Sequence, residues 1–181
     1  MRTKYLSLFL IMLVLGGCIV KKKTTYSKKK TVTVISKEGD TSNTKVVTRK
    51  KTANKTADKV VEEALQFSGT RYKFGGTTKK GMDCSGLVYV ALRENNIAFP
   101  RVSYEMANEG KKIKLKQVEK GDLLFFKTSK SGKRINHVGL VVKVDGDDIR
   151  FIHATSSRGV IVSSLREGFW NHAFIKATRV L

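Results

Sequence analysis

Cysteine, proline and long apolar runs are all scarce in this sequence of 181 residues. Cys18 and Cys84 are the only cysteines, so the fold can hold at most one disulfide. The single proline, together with an ordinary aromatic content, argues against disorder throughout the chain. An apolar stretch from Tyr5 to Leu15 is interrupted only by Ser7, and it is too short to span a bilayer. A chain of this length is expected to form one domain with a proper core.

Acidic residues are also few. The chain has 36 Lys and Arg against 15 Asp and Glu, which gives a formal net charge of +21 at pH 7. Partners should therefore be anionic. Nucleic acid is the usual partner of so basic a chain, but the N-terminal sequence indicates export, which predicts lipid headgroups or cell-wall polymers and no nucleic acid.

The N-terminus has the features of a secretory signal. Basic Arg2 and Lys4 precede the apolar stretch, which ends in Leu15-Gly16-Gly17-Cys18. This end resembles the bacterial lipobox, in which the cysteine after the cleavage site becomes lipidated. We therefore expect a signal peptide over residues 1–17 and a lipid such as palmitate on Cys18. Ordinary signal cleavage, with Cys18 incidental, is the alternative. Ile19, rather than aspartate, favours the outer membrane facing the periplasm if the cell has one.

Residues 18–56 are expected to form a basic, flexible tether. Between Cys18 and Asp58 lie twelve Lys or Arg and only two other acidic residues besides Asp58 itself. Large apolar side chains are too few to offset the entropy of ordering. The lysine clusters would be either a solvated linker or a surface for anionic lipid or wall polymer. Thr31–Ile35 and Val46–Thr48 could pair as a small hairpin.

The run Asp83-Cys84-Ser85-Gly86 places the one cysteine beyond the tether at a predicted helix start. Asp83 can cap a helix from Cys84 through Leu92, so the thiol would lie at the positive end of the helix dipole and its pKa should be low. A thiolate attacks carbonyl carbon well, which predicts a cysteine hydrolase or transferase. Lipidation of Cys18 leaves Cys84 unpaired, and an exported free thiol is expected to be buried or used. A disulfide between the two cysteines is the alternative.

The expected catalytic domain, residues 57–181, has helical spacing of apolar residues in its first part and strand-like alternation in its second part. Helical spacing predicts a first helix over Ala57–Ser68 and a short helix from about Ser103 to Gly110. Alternation then predicts strands over Leu123–Phe126, His137–Val144, Ile149–Ala154, Val160–Ser163 and Ala173–Val180. Helices followed by strands predict an α+β domain, with the cysteine helix packed on a mostly antiparallel sheet of about five strands.

The histidines decide whether the cysteine has a base and a group to orient it. His137 begins one predicted strand and His153 lies near the end of the next, so antiparallel pairing would bring them together. The two histidines lie at different numbers of residues from the turn at Asp145–Asp148, so in a regular hairpin they would not be directly opposite each other. A bulge or a longer loop would be needed to adjust the register. His172 has no such placement and is expected to be a surface or packing histidine.

These residues resemble the NlpC/P60 family of cell-wall cysteine peptidases, whose signature pairs Asp-Cys-Ser-Gly with a later His-Val-Gly and a polar residue on the following strand. The similarity covers roughly Ala57 to Leu181. It also includes, in order, Tyr72-Lys73-Phe74-Gly75-Gly76, Pro100-Arg101-Val102-Ser103 and Gly121-Asp122-Leu123-Leu124-Phe125-Phe126.

The resemblance implies a papain-like fold and hydrolysis of a peptide bond in the peptidoglycan stem peptide, commonly the bond between D-glutamate and the diamino acid, through a thioester. Carried onto this sequence, Cys84 is the nucleophile, His137 the general base and later acid, and His153 the group that orients His137. Backbone N–H groups at the helix start, including that of Cys84, are candidates to hold the oxyanion.

The resemblance also implies supporting residues. Tyr72 matches a family tyrosine whose hydroxyl lies close to the nucleophile. Asp83 and Ser85 could bind a substrate amine, although helix capping would explain both without a ligand. Ser103 is a further supporting or substrate-binding candidate. The implied partners are stem peptides and the membrane, for a chain expected to be monomeric and to need no cofactor.

Three other functions compete with this one. Cys84, His137 and His153 are ligand types that suit zinc, but the sequence lacks a compact ligand pair and a nearby carboxylate, so no metal is expected. A non-catalytic lipoprotein could bind the wall with a degenerate enzyme fold. Amide cleavage at the sugar-peptide junction or acyl transfer could use the same constellation. A separate wall-binding module is not visible in the sequence.

Overall fold

The computed structural model describes residues 55–129, 131 and 134–181. The predicted signal peptide, the lipidation of Cys18, the hairpin within the tether and nearly all of the tether lie outside these residues. Of the helices that are described, none combines the length and the apolar character that crossing a membrane requires.

The described chain places helices before strands, as predicted. The helix α1 covers 55–65, so it ends before the predicted Ser68, and turns cover 66–69. The remaining elements are β1 Thr77–Thr78, β2 Gly81–Met82, α2 Cys84–Arg93, α3 Ser103–Met106, β3 Lys111–Ile113, a 3-10 turn Leu115–Gln117, β4 Leu123–Phe126, β5 His137–Asp145, β6 Asp148–Thr155, β7 Gly159–Ser164, α4 Gly168–Ala173 and β8 Phe174–Arg179.

A six-stranded antiparallel sheet forms the centre of the domain, in the order β3-β8-β4-β5-β6-β7. All five strands predicted from alternation are present, and the short strand β3 adds a sixth. Its Lys111 and Lys112 are exposed, which suits a strand at the edge of a sheet but gives no apolar alternation to recognise. Strands β1 and β2 form a separate two-stranded pair before the cysteine helix.

The sheet is buried on both faces, and this determines where the site can form. Leu123 and Phe125 belong to one hydrophobic cluster, with residues of α1 and α2. Leu124 and Phe126 point the other way, into a second cluster with residues of α4. Because both faces are covered, all four residues of β4 are buried, and the strand reads as a continuous apolar run.

Candidate active site

Helix α2 begins at Cys84 and is capped as the sequence predicts. Asp83 has an extended backbone, and its carboxylate accepts a hydrogen bond of 2.6 Å from the N–H of Gly86. Cys84 is therefore in the first turn, whose N–H groups have no carbonyl partner within the helix. The residue is a buried, free thiol.

The loop that contains Gly75 and Gly76, which we call the glycine loop, contacts the first residues of α2 directly. The N–H of Gly75 donates to the Asp83 carboxylate at 2.7 Å, and the N–H of Asp83 donates to the carbonyl of Gly76 at 3.2 Å. A Cβ atom on Gly86 would collide with the same Gly76 carbonyl. A Cβ atom on Gly76 would in turn collide with the carbonyl of Gly81, so neither Gly76 nor Gly86 has room for a side chain. This tight contact fixes the start of α2, where Cys84 lies.

Arg101 adds a cation to the helix cap. Its guanidinium donates to the Asp83 carboxylate at 2.9 Å, to the Ser85 hydroxyl at 2.8 Å and to the Gly76 carbonyl at 3.3 Å. The Asp83 carboxylate therefore has a cation and two backbone donors as partners. These contacts favour the capping role of Asp83 and Ser85 over binding of a substrate amine. The sequence places Arg101 in one of the motifs shared with the family but does not predict this role.

The two predicted histidines meet at the end of the sheet. Leu140 pairs with Ile152, and the β5–β6 register shifts between Val141 and Lys143, which confirms that an irregularity adjusts the register. His137 and His153 lie on the same face, and Nε2 of His137 is 2.9 Å from Nδ1 of His153. The imidazole planes are nearly perpendicular, at 89°.

This hydrogen bond determines what each nitrogen can do. If Nε2 of His137 donates, its Nδ1 keeps a lone pair and can accept a proton from a thiol. His153 then carries its N–H on Nε2, which is buried and has no hydrogen-bond partner among the described residues. The His153 ring is nearly perpendicular to that of Trp170, at 83° and 4.5 Å between centroids, and in such an arrangement an N–H can face a π system.

Trp170 completes the surroundings of the histidine pair, and sequence analysis missed it. Its ring stacks on His137 at 5.2 Å and 23°. Phe126 and Phe151 contact the same rings from the sheet. Trp170 lies on α4, a helix of six residues that is too short to show a period. The signal that could have found it is that it is the only tryptophan in the chain.

Burial sets the protonation states of the resting site. Desolvation lowers the pKa of His137 to about 4 and, with the charges of His137 and Arg158, lowers that of His153 to about 3. Desolvation raises the pKa of the Cys84 thiol, and the charge of Asp83 adds to this. The backbone of Val138, Ser85 and Cys84 acts to lower that pKa, but the net shift is upward and burial is its largest cause. The predicted low thiol pKa is therefore wrong for the resting site: burial outweighs the helix start, and both Cys84 and His137 are neutral at pH 7.

Cys84 and His137 line one cavity of about 320 Å³, together with Tyr72 and Trp170. Cys84 also shares a hydrophobic cluster with Val138, the residue that follows His137 on β5, and the backbone of Val138 acts to lower the thiol pKa, so the thiol lies near the start of β5. Burial raises the pKa of Tyr72, and the charges of Cys84 and Asp83 act in the same direction. Tyr72 thus lies where sequence analysis predicts it, next to the thiol.

Two other predicted residues lie apart from this cavity. Ser103 is buried at the first residue of α3 and is not among the residues that line the Cys84 cavity. His172 is exposed, as expected of a surface histidine, and lines a neighbouring cavity. Within the described residues, no group of three or more His, Cys, Asp or Glu side chains is arranged to hold a metal ion.

Comparison with known proteins is consistent with this geometry. The model of the NlpC/P60 family matches residues 69–179. The chain is 37% identical over 124 residues to the murein DD-endopeptidase MepS/murein LD-carboxypeptidase of Escherichia coli K12, covering 68% of this chain and 62% of that protein. It is 38% identical over 120 residues to a probable endopeptidase of Haemophilus influenzae, covering 66% of this chain and 71% of that protein. The chain thus spans under two thirds of the length of the E. coli relative.

A solved structure supports the same fold. The crystal structure of an NlpC/P60 family protein from Bacillus cereus superposes with a TM-score of 0.63 at 28% identity. The match covers 69% of this chain and 40% of that one. The α+β architecture predicted from the order of helices and strands is therefore confirmed.

Proposed function

Because this chain belongs to the NlpC/P60 family, we propose that it is a cysteine peptidase that hydrolyses a peptide bond in the stem peptide of peptidoglycan. One observation carries the proposal. Nε2 of His137 is held 2.9 Å from Nδ1 of His153, which leaves the other nitrogen of His137 for the Cys84 thiol in their common cavity. This is the arrangement that a nucleophile, a base and an orienting group require.

The reaction follows from the neutral resting pair. As the Cys84 sulfur attacks the carbonyl carbon, its proton moves to Nδ1 of His137, and the imidazolium is stabilised by its hydrogen bond to His153. N–H groups in the first turn of α2 are available for the oxyanion. His137 returns the proton to the leaving amine, and a thioester remains. Water, deprotonated by His137, then hydrolyses the thioester and restores the thiol.

The bond that is cut is proposed from family resemblance to be the one between D-glutamate and the diamino acid. The E. coli relative is named as a DD-endopeptidase and an LD-carboxypeptidase, so two other bonds are alternatives that an assay must separate. Purified muropeptides of defined structure should be incubated with the full chain and the products identified by mass spectrometry. The masses of the fragments assign the bond directly, and amidase or acyl-transfer products would also be recognised.

The decisive variant is Cys84→Ala. We expect it to lower the rate of fragment release by about a thousandfold or more, since the nucleophile is removed, while circular dichroism stays unchanged. A thiol-alkylating agent should abolish the wild-type activity and a chelator should not. Wild-type protein that binds wall preparations but releases no fragment from any of them would favour the non-catalytic wall-binding function and overturn the peptidase.

We also propose that the protein is held in the cell envelope by a lipid on Cys18, as the N-terminal sequence suggests, in the outer membrane facing the periplasm if the cell is Gram-negative. The basic residues that follow would lie close to anionic lipid or wall polymer. Cys18→Ala should abolish incorporation of labelled palmitate and move the protein from the membrane fraction to the soluble fraction. Unchanged labelling and fractionation would contradict lipidation at this residue.

A further inference from the structure

A second cavity, of about 520 Å³, adjoins the catalytic one. Thr128 and Phe169 line both cavities, so the two are neighbouring parts of one surface. Lys127, His172 and Ile175 line the second cavity only. We call this second part the Lys127 groove. A peptide bound with its scissile carbonyl at Cys84 could continue into it past Thr128.

The Lys127 groove combines exposed apolar surface with a cation. Phe169 is 60% exposed and Ile175 is 51% exposed, although both are large apolar residues. Lys127 is also exposed. None of the described residues that line either cavity is an Asp or Glu. Such a surface fits an aliphatic segment that carries a carboxylate.

Hydrogen bonds hold the groove in place relative to the catalytic histidine. The N–H of Lys127 donates to the carbonyl of Ala173, on α4, at 2.8 Å. The N–H of Thr128 donates to the side-chain oxygen of Asn136 at 2.8 Å. Asn136 immediately precedes His137 and lines the catalytic cavity. The backbone that carries Lys127 is thus fixed to both α4 and the start of β5, so its side chain starts from a defined position.

We propose that the Lys127 groove is a substrate subsite that binds a free carboxylate of the stem peptide on one side of the scissile bond. The proposal rests on the proposed peptidase function. The Lys127 ammonium pairs with the carboxylate, while Phe169 and Ile175 contact the aliphatic part of the same residue. Because Lys127 is exposed to solvent, the pair contributes modestly, by roughly twofold to fivefold in kcat/KM.

The test uses pairs of muropeptides that differ only in one carboxylate, left free or converted to a carboxamide, on either side of the cleaved bond. We expect the wild-type chain to prefer the substrate with one free carboxylate by roughly twofold to fivefold in kcat/KM, and this preference should come from a lower KM. Lys127→Ala should lose this preference by raising KM for the carboxylate form alone. Lys127→Arg should retain it. Lys143→Ala is the matched control, because Lys143 is an exposed lysine on β5 paired with Asp145, and it should keep the wild-type preference.

The outcomes separate the two proposals. If the wild-type chain cleaves muropeptides but shows no carboxylate preference, or if Lys127→Ala slows both forms equally, the subsite is wrong and the peptidase stands. If the wild-type chain cleaves neither form of any muropeptide, the peptidase function is wrong and the subsite falls with it. Phe169→Ser, which removes the apolar wall, should raise KM for both forms without changing their ratio.

Discussion

At the scale of single residues, Trp170 keeps water away from the histidine pair. It is only 5% exposed, stacks on His137 and stands edge-on to His153. The low pKa of both histidines has burial as its first cause, and the indole covers much of the surface that would otherwise be hydrated. We therefore expect Trp170 to influence the pH at which His137 can act as a base.

Replacing Trp170 should consequently shift the pH dependence of the reaction. In Trp170→Ala water reaches the imidazoles, the pKa of His137 rises towards its ordinary value of 6.5, and the acid limb of the kcat/KM profile moves to higher pH. The core loses about 3–5 kcal/mol of stability. Trp170→Phe keeps an aromatic cover and should shift the limb less. An acid limb that stays in place in Trp170→Ala, in protein shown to be folded, would contradict the assigned role.

Arg101 acts at the same scale on the nucleophile. The Asp83 carboxylate raises the pKa of the Cys84 thiol, and the Arg101 guanidinium, 2.9 Å from that carboxylate, offsets its charge. Arg101→Gln should therefore raise the thiol pKa further and slow alkylation of Cys84 by iodoacetamide at a fixed pH. Breaking the pair, which is partly exposed on the arginine side, should cost roughly 1–3 kcal/mol.

The matched control for Arg101 is Arg93→Gln. Arg93 pairs with Glu94 at 3.2 Å, but both side chains are more than half exposed, so this pair should matter little. We expect the thermal midpoint and the alkylation rate of Arg93→Gln to stay close to those of the wild type. Equal alkylation rates for Arg101→Gln and wild type across the pH range would show that Arg101 has no electrostatic effect on the thiol.

At the scale of elements, the sequence predicts long periodic segments well and short ones poorly. The β5–β6 hairpin follows from alternation on both sides of the Asp145–Asp148 turn, and counting residues shows that its register needs a bulge. The place of the shift, between Val141 and Lys143, depends on side-chain packing across strands, which alternation does not encode. Helix α4 has no detectable period, so Trp170, which it carries, was missed as well. The thiol pKa was mispredicted because burial is a tertiary property.

The junction between the glycine loop and α2 can be tested with one added methyl group. Gly86→Ala would drive a Cβ into the Gly76 carbonyl, so the loop or the helix start must move. We expect a loss of about 1–3 kcal/mol in stability and a larger loss of activity, since Cys84 lies at the start of α2. Gly168→Ala on α4 is the control, because a Cβ there meets nothing within 4 Å. Activity that survives Gly86→Ala at the level of Gly168→Ala would contradict the tight junction.

At the scale of the whole molecule, the site joins the two hydrophobic clusters. Cys84 belongs to the cluster on the α1 and α2 side of the sheet, whereas Trp170, which stacks on His137, belongs to the other. The nucleophile and its base therefore meet only when both cores are packed against the sheet. Global stability and the protonation of the site are coupled for the same reason.

This coupling predicts how stability depends on pH. His137 and His153 have folded-state pKa values of about 4 and about 3, against an ordinary 6.5, so the unfolded chain binds more protons than the folded one between about pH 3 and 6.5. The free energy of unfolding should therefore rise with pH across this window. Above pH 9 the raised pKa of the Cys84 thiol reverses the sign, because the folded chain then holds the proton more tightly, and stability should fall.

Urea unfolding followed at a series of pH values measures this dependence, and two histidine variants isolate its cause. His153→Gln removes one buried titrating group, so its stability should rise less steeply than that of the wild type between pH 4 and 6.5. His172→Gln replaces an exposed histidine outside the buried pair and is the control variant. Carboxylates that titrate at low pH contribute equally to all three proteins, so they cancel in the comparison. Three identical slopes would mean that the histidine pair is hydrated in solution, and the lowered histidine pKa values attributed to burial would then be wrong.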